Sequence, residues 1–313
     1  MLSIIICSIR KELRDQLKKN IRSTIGLDNY EVIVVENEIK KYPIAKAYNI
    51  AAKQSKYPFL CFVHEDIIFH TDNWGEVLIK HFETTNARLI GVLGCTIKTK
   101  SPGSVYIYES SFNRQNQLQR YSEKKRVLCH ENPLNEQVSE VCILDGLFIA
   151  STKKAWAETQ FSEDYLKGFH GYDIDFSLKN FALGKVVVVY DILLEHFSFG
   201  SFSKEWVNVQ LLLNKKWNKQ LPFVAGKLGD KEIMMAEERN LKEFLKILVN
   251  TNYSKRVLLK LFIIFFISNP SHPLNLFFIR QIILGKKLDE KIKSWVTNSA
   301  GYTAKSNTAS IEQ

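Results

Sequence analysis

The chain has 313 residues, of which 45% are hydrophobic and 24% charged. These values exclude an intrinsically disordered or fibrous protein and leave room for one α/β domain with an appendage. The five cysteines include no Cys-x-x-Cys pair, and three of them lie within apolar runs, which favours small core residues in a reducing compartment over a disulfide framework or a zinc site. The formal net charge is +10, and almost all of the excess lies beyond residue 200.

Strand and helix signals alternate through the first two hundred residues, which predicts an α/β fold with a mostly parallel sheet flanked by helices. The apolar segment at residues 2–7 has no basic leader and is too short for a secretory segment, so we expect a first strand and a cytoplasmic protein. Predicted strands lie at residues 4–6, 31–35, 59–63, 89–93, 141–144 and 185–190, and predicted helices at 12–23, 44–55, 74–84 and 173–183. Residues 98–139 are polar and irregular, which is typical of substrate-facing loops or a small β insertion.

The strand predicted at residues 59–63 is followed at once by His64, Glu65 and Asp66, three side chains that are able to bind a metal. Because successive strand residues point to opposite faces, His64 and Asp66 share a side and Glu65 faces the other way. Ligands collect at the carboxyl ends of strands in open α/β sheets, and hard divalent cations prefer carboxylate oxygens and substrate phosphates. By itself the triplet is explained equally well as a solvated polar turn.

After Trp206 the pattern changes to amphipathic helices, predicted at residues 205–218, 230–250, 255–267 and 274–284. The apolar run at 257–267 is interrupted by Lys260 and is shorter than the ~20 residues that a membrane-spanning helix needs. It is either a buried helix or one lying in the membrane interface, and periodicity does not separate these two readings. Basic residues accompany it: Lys255, Arg256, Arg280, Lys286 and Lys287.

From Ser201 onward the chain carries 18 Lys and Arg against nine Asp and Glu. No interleaving of basic and aromatic residues marks a nucleic-acid groove there, so we expect an anionic membrane surface as the partner and no nucleic acid. The tail at residues 298–313 is small and polar, and we expect it to be disordered.

The order of these features resembles a family 2-type glycosyltransferase with the GT-A fold, and most closely the compact bacterial glycosyltransferase-like proteins of that group. The features are a first strand, a second strand that ends in an acid, a Lys-Ala-Tyr-Asn helix, the acid triplet and a Tyr-Asp-Ile-Asp helix. The resemblance covers residues 2–203. It implies a nucleotide-sugar-binding and catalytic domain at 1–204, and leaves a basic amphipathic helical region at 205–297 and the tail outside it.

In such enzymes Mn2+ or Mg2+ bridges the diphosphate of a nucleotide sugar, commonly a UDP-sugar, to an Asp-x-Asp motif. That motif is matched by His64-Glu65-Asp66, which implies that Asp66 is a direct metal ligand. His64 either ligates the metal, which Mn2+ tolerates better than Mg2+, or contacts the ribose or the diphosphate. His196 fits the position of a late metal ligand or diphosphate contact. The other residues that the resemblance assigns to donor binding are Glu36, Asn37, Ala45, Asn49, Glu65, Asp145 and Gly146.

Asp173 matches the acid that serves as the general base in this family. Independently of the resemblance, a carboxylate within hydrogen-bond reach of a sugar hydroxyl is able to take its proton. Asp173 and Asp175 also fit first-turn acids that complement the helix dipole, which would lower the pKa of Asp173 and weaken it as a base. We favour catalysis because residues 168–171 form a flexible approach and the triplet is already in place. Asp145-Gly146 allows close backbone approach to a ligand, although an ordinary Asp-Gly turn explains it nearly as well.

The resulting hypothesis is a metal-dependent, inverting glycosyltransferase that moves a sugar from a nucleotide sugar to a hydroxyl. We expect the acceptor to be a cell-surface glycan or a lipid-linked molecule, met at the inner face of the cell membrane. Because His64 replaces the first acid of the motif, a non-catalytic nucleotide-sugar-binding or scaffold protein stays open as an alternative. A nucleotidyltransferase is weaker, since residues 8–12 contain no glycine for a triphosphate loop.

Overall fold

The computed structural model describes residues 1–122, 125–198, 200 and 202–284. Its helices are α1 (Lys11–Thr24), α2 (Asn37–Lys40), α3 (Ile44–Gln54), α4 (Trp74–Thr85), α5 (Lys153–Thr159), α6 (Tyr172–Phe181), α7 (Lys204–Trp217), α8 (Asp230–Asn250), α9 (Lys255–Ser268) and α10 (Leu274–Leu284). Its strands are β1 (Leu2–Ser8), β2 (Tyr30–Glu36), β3 (Phe59–Val63), β4 (Ile67–Phe69), β5 (Leu89–Gly91), β6 (Leu93–Cys95), β7 (Ile97–Lys98), β8 (Asn113–Ser122), β9 (Lys125–Glu131), β10 (Val138–Glu140), β11 (Ile143–Leu144), β12 (Phe148–Thr152), β13 (Val186–Val189), β14 (Leu194–His196) and β15 (Phe223–Val224).

The main sheet has seven strands in the order β10-β13-β5-β12-β3-β1-β2. Strands β1, β2, β3, β5 and β13 run in one direction, so the expectation of a mostly parallel sheet is confirmed. The central strands β1 and β3 are continuous apolar runs that are buried on both faces, because helices cover the two sides of the sheet.

Strand β12 lies antiparallel between β3 and β5, and the sequence analysis did not predict it. Phe148 pairs with Val63, and the backbone N–H of His64 donates to the carbonyl of Leu147 at 3.1 Å. The loop before β12, which contains Asp145 and Gly146, is therefore held beside the end of β3. The segment predicted as one strand at residues 89–93 is in fact two strands, and β5 and β6 belong to different sheets.

A second sheet has the order β11-β6-β8-β14-β4, with β9 paired to β8. The irregular region at residues 98–139 therefore contains a β insertion, the β8–β9 hairpin, as one of its two predicted alternatives stated. Strand β14 pairs antiparallel with β4, with His196 opposite Ile67. This pairing brings the end of β14 next to Asp66, across more than one hundred residues of sequence.

The helical region is packed in two parts. Leu213 of α7 and Ala236 of α8 belong to the same core cluster as Tyr48 and Phe62, and β15 pairs with β7 of the α/β body. The second half of α8 packs with α9 and α10 around a separate cluster that includes Phe244, Phe265 and Phe278. The predicted tail at 298–313 and the end of the region at 205–297 lie outside the described residues.

Within the part of the chain that the structure describes, every helix is too short or too polar to cross a membrane.

Gly171 sets where α6 begins. It is the residue before the helix, with φ of +79°, in the left-handed region that side chains with a Cβ rarely adopt. A Cβ at this position would also lie 2.4 Å from Cγ1 of Val209 on α7. Glycine therefore allows α6 to start against α7 and to present Tyr172 and Asp173 in its first turn.

Gly171→Ala should lower the free energy of unfolding by roughly 2–4 kcal/mol, because it adds both backbone strain and a clash with α7. Chemical denaturation measures the change. The matched control is Gly168→Ala three residues earlier, where an added Cβ meets nothing within 4 Å. Equal stability of the two variants would contradict the role given to Gly171.

Candidate active site

Three side chains from distant parts of the chain meet at the carboxyl end of β3. The possible metal-ligating atoms of His64, Asp66 and His196 all lie within 4.8 Å of one another. Asp66 Oδ1 is 3.9 Å from His64 Nδ1 and 3.7 Å from His196 Nε2. Two imidazole nitrogens and one carboxylate form a donor set that suits a borderline divalent ion such as Mn2+ better than Mg2+, which prefers oxygen ligands.

The hydrogen bonds of His64 leave the correct nitrogen free for a metal. The Tyr172 hydroxyl donates to the carbonyl of Gly146 at 3.1 Å, and its oxygen lies 2.7 Å from His64 Nε2. Since the hydroxyl has a single proton, both bonds form together only when His64 Nε2 carries hydrogen. The lone pair is then on Nδ1, which faces Asp66. Burial also lowers the pKa of His64, so the ring is neutral at neutral pH.

His196 is oriented in the same way by Gln119. The Gln119 amide nitrogen donates to the carbonyls of His196 and Ser198 at 3.2 and 3.1 Å. Its amide oxygen therefore faces His196 Nδ1, at 3.3 Å, and accepts a hydrogen bond from that N–H. The lone pair of His196 is left on Nε2, which faces Asp66 and has the Ser198 hydroxyl 3.3 Å away. Partners of this kind fix the tautomer of metal-binding histidines.

Asp66 stays ionised despite its position. It is 7% exposed, and burial acts to raise its pKa, but His196, His64 and Arg10 hold that pKa below its ordinary value. The Arg10 guanidinium lies 3.4 Å from Asp66 Oδ2 and is itself half exposed. An ionised carboxylate flanked by two imidazole rings is a ligand set that fits a divalent cation.

Glu65 faces away from this cluster, as the alternation of strand residues predicts. Its carboxylate accepts from the backbone N–H groups of Ile9 and Arg10 at 3.1 and 3.0 Å. Arg10 Nε lies 3.3 Å from it as well. Glu65 thus anchors the loop between β1 and α1, and its expected contact with the donor stays a prediction.

A second pair of carboxylates lies beside the first cluster. Asp173, in the first turn of α6, accepts from the backbone N–H of Gly146 at 3.2 Å, and Asp145 is the residue before that glycine. Burial and the negative charge of Asp145 raise the pKa of Asp173 to about 7. A carboxyl group with this pKa is suited to take a proton near neutral pH.

The start of α6 acts to lower the pKa of Asp173 as expected, but the expectation that this weakens Asp173 as a base is wrong. Backbone N–H groups at the helix start do act in that direction, but burial and Asp145 outweigh them. Asp175 is the structural acid of this turn: it is fully buried, and it accepts from Lys216, Trp217 and Ser162 at 2.8, 3.0 and 2.7 Å. Burial would raise its pKa, and Lys179 and Lys216 hold it low.

Residue 146 has no space for a side chain. A Cβ there would lie 2.0 Å from the Tyr172 hydroxyl oxygen, the group that bridges His64 and the Gly146 carbonyl. The close approach predicted for this glycine is therefore made by a protein side chain. Its backbone connects the two clusters, because its carbonyl accepts from Tyr172 and its N–H donates to Asp173.

A cleft of about 530 Å³ opens beside the cluster, within the usual size range of small-molecule sites. Its walls include Ile9, Asn37, Tyr42, Lys167 and Phe169, and the Phe169 ring lies 5.5 Å from the ring of His64. The predicted residue Asn37 is thus at the cleft, where its amide holds the backbone of Tyr42. Glu36 is exposed, and its carboxylate lies 2.9 Å from Arg14 Nη1.

Ala45 and Asn49 do not reach the cleft. Both are buried on α3, and the Asn49 amide is used by the segment before α6, since it bonds to the backbone of Phe161 and to the indole of Trp156. The Asn49 amide is thus occupied by partners within the protein, and the donor contacts expected for Ala45 and Asn49 stay predictions.

Tyr172, Gln119, Arg10 and Phe169 lie at the site but were not predicted as site residues from the sequence. Tyr172 stands directly before the predicted base, and this adjacency was the available signal. No local pattern marks Gln119, because its role depends on the pairing of β8 with β14.

Tyr172→Phe should weaken Mn2+ binding by roughly 10- to 100-fold, because His64 loses the partner that fixes its tautomer. Isothermal titration calorimetry with Mn2+ measures the affinity. Tyr190→Phe is the matched control: Tyr190 bonds to Ser139 at 2.8 Å and touches none of the three metal-capable residues. Unchanged Mn2+ affinity in Tyr172→Phe would refute the orienting role.

A family model described as "Glycosyltransferase like family" matches residues 3–223. A search with the sequence among curated proteins finds no match. Among solved structures, S. aureus TarS 1–349 matches with a TM-score of 0.50 and 11% identity, over 95% of this chain and 91% of that one.

Two further solved structures have lower scores. The mannosyltransferase PcManGT from Pyrobaculum calidifontis, in complex with GDP-Man and Mn2+, has a TM-score of 0.48 and 13% identity, over 96% of this chain and 84% of that one. GalNAc-T7 with UDP, GalNAc and Mn2+ has a TM-score of 0.46 and 12% identity, over 88% of this chain. This chain spans 58% of the GalNAc-T7 chain.

The family match covers well over half of the chain and includes every residue of the two clusters, and the likeness to TarS concerns the fold alone. The resemblance and the fold class expected from the sequence are thereby confirmed. The chain belongs to the glycosyltransferase-like family and has the GT-A fold.

Proposed function

We propose that this chain transfers a sugar from a nucleoside diphosphate donor to an acceptor hydroxyl, with a divalent cation and with inversion at the anomeric carbon. The observation that carries the proposal is the joining of two clusters through Gly146 and Tyr172. One cluster, His64, Asp66 and His196, suits a cation and a diphosphate. The other contains Asp173, a carboxyl group with a pKa raised to about 7.

The donor is proposed to lie in the cleft between the end of β2 and Phe169. Tyr42 and Ile9 offer apolar surface for the nucleoside, and the Asn37 backbone and side chain lie at the same wall. Lys41 and Lys167 line the cleft, so a diphosphate would meet positive charge there. A UDP-sugar is the donor that we favour.

Mn2+, when bound by His64, Asp66 and His196, would neutralise negative charge on the departing nucleoside diphosphate. Arg10, half exposed and 3.4 Å from Asp66 Oδ2, would add a second positive charge beside that position. The buried, bridged geometry of the three side chains requires little rearrangement for binding, which favours catalysis by a preorganised site.

Asp173 is proposed to accept the proton of the acceptor hydroxyl as the hydroxyl attacks the anomeric carbon. A single displacement needs one base and no protein nucleophile, and it inverts the configuration. The Gly146 N–H holds the Asp173 carboxylate in place, while Asp145 keeps its pKa high enough for proton transfer. We propose a hydroxyl of a cell-surface or lipid-linked glycan as acceptor, met by a cytoplasmic enzyme at the inner face of the membrane of a bacterial cell.

Asp173→Asn should lower kcat by roughly 10²- to 10⁴-fold, because the amide accepts the bond from Gly146 but does not take a proton. Transfer and hydrolysis of UDP-sugars in the presence of Mn2+ measure the rate, and calorimetry should show donor binding unchanged. Asp164→Asn, at an exposed position in the preceding loop, is the control with expected full activity. Wild-type turnover by Asp173→Asn would remove Asp173 from its role.

Asp145→Asn should move the acid limb of the kcat/KM profile to lower pH. In the wild type the neighbouring negative charge makes ionisation of Asp173 harder, so the rate rises only as pH approaches neutrality. The asparagine oxygen still accepts the bond that the Leu147 N–H makes to Asp145 at 3.0 Å, while the charge is lost. The two limbs are compared under saturating Mn2+, and identical limbs would contradict the coupling of the two carboxyl groups.

A further inference from the structure

Helices α9 and α10 are apolar on two opposite sides. The inner side of α9 places Leu258, Phe262 and Phe265 in the helical cluster, where the rings of Phe262 and Phe265 lie 5.9 and 6.0 Å from that of Phe278 on α10. The outer side of α9 is also apolar and exposed: Leu259, Ile263, Ile264, Phe266 and Ile267.

The outer side of α10 has the same character. Leu276 is 78% exposed and Ile283 is 69% exposed, and Ile279 and Leu284 are exposed as well. A helix on the surface of a globular protein needs one apolar stripe toward the core and normally has polar residues opposite. A concentration of exposed Ile, Leu and Phe on two successive helices marks a binding surface.

The charges around this surface have one sign. Lys255, Arg256, Lys260 and Arg280 are all exposed, and residues 255–284 contain no Asp or Glu. On α9, Arg256 and Lys260 recur at helical spacing with Leu259 and Ile263, so positive charge lies on the outer apolar side itself. A partner that fits this surface must therefore have an apolar interior that accepts these side chains and a negatively charged surface that faces the lysines and arginines.

We propose that the α9–α10 outer surface docks into the interface of an anionic phospholipid bilayer, with both helices lying along the membrane plane. Apolar side chains would enter the acyl boundary while the lysines and arginines remain at the phosphate level. The helices have 14 and 11 residues, so at ~1.5 Å per residue each is far shorter than the ~30 Å hydrocarbon core. This inference goes beyond the proposed reaction and does not depend on it.

Two other occupants fit the charges less well. A second copy of the chain would place the same four cations opposite each other. Residues 285–313 contain five Lys against three Asp and Glu, so they offer no net negative charge to these basic residues. An anionic lipid surface satisfies both the apolar and the electrostatic requirement.

The test is flotation of the full-length protein with vesicles of phosphatidylcholine alone and of phosphatidylcholine mixed with phosphatidylglycerol. The wild type should bind the anionic vesicles and release partly at high salt, since screening weakens the attraction of the basic residues. The double variant Ile267→Asn with Ile283→Asn should bind roughly tenfold or more weakly, because both side chains are already exposed and would lose apolar burial in lipid. Lys260→Glu with Arg280→Glu should reduce binding to anionic vesicles specifically.

Leu134→Ser is the matched control, since Leu134 is an exposed apolar residue (65%) on a loop of the α/β body. It should bind vesicles like the wild type, and thermal melts of all variants should coincide because the changes are on the surface. Absence of wild-type binding, or equal binding by the Ile267/Ile283 double variant, overturns the proposal. So does a wild-type dimer that this double variant dissociates, or vesicle binding that occurs only when the chain ends at Leu284. None of these readouts uses donor turnover, so they stand apart from the test of the proposed reaction.

Discussion

The Tyr172 hydroxyl is the contact on which the site depends. It joins the first turn of α6 to the end of β3 through His64 and to the loop before β12 through the Gly146 carbonyl. Its single proton decides which nitrogen of His64 keeps a lone pair. Gly146 and Gly171 have no side chain for a steric reason: one makes room for this hydroxyl, and the other lets α6 start close to α7. The hydrogen bonds of the Tyr172 hydroxyl thus hold the metal-capable cluster of His64, Asp66 and His196 beside Asp173.

The carboxyl groups of the site have different pKa values because their neighbours differ. Asp66 has two imidazoles and a guanidinium for neighbours, so its pKa stays low in spite of burial. Asp173 has another carboxylate nearby, and burial raises its pKa to about 7. Asp175, two residues later, has its pKa held low by Lys179 and Lys216 and serves to fasten α6 to α7. Neighbouring charge therefore shifts the pKa of Asp173 in the opposite direction to the pKa values of Asp66 and Asp175.

The helical region is divided between two hydrophobic clusters. Helix α7 and the first part of α8 complete the core of the α/β body, and Trp217 of α7 reaches the buried Asp175. Beyond Leu241 the helices pack mainly on each other and keep an apolar outer surface that carries basic residues. The same segment is too short to cross a bilayer and too apolar on its outside for water, which is the combination expected of a helix that lies in the interface.

Much of the fold follows from the sequence alone. Apolar runs and helical periodicity placed α8 and α10 at their observed ends and identified the buried strand β3, because these patterns reflect which side chains must leave water. The triplet at the end of β3 and the acids in the first turn of α6 were also identified from the sequence, because each is a local feature of one element. The sequence did not predict strand β12, the tautomers of His64 and His196, or the raised pKa of Asp173. They depend on partners far away in sequence, Gln119, Tyr172 and Asp145, and only strand pairing and helix packing bring those groups within a few ångströms. The chain itself determined which residues are available for chemistry; the tertiary structure decided their protonation and their neighbours, because electrostatic and hydrogen-bond energies depend on distance in space.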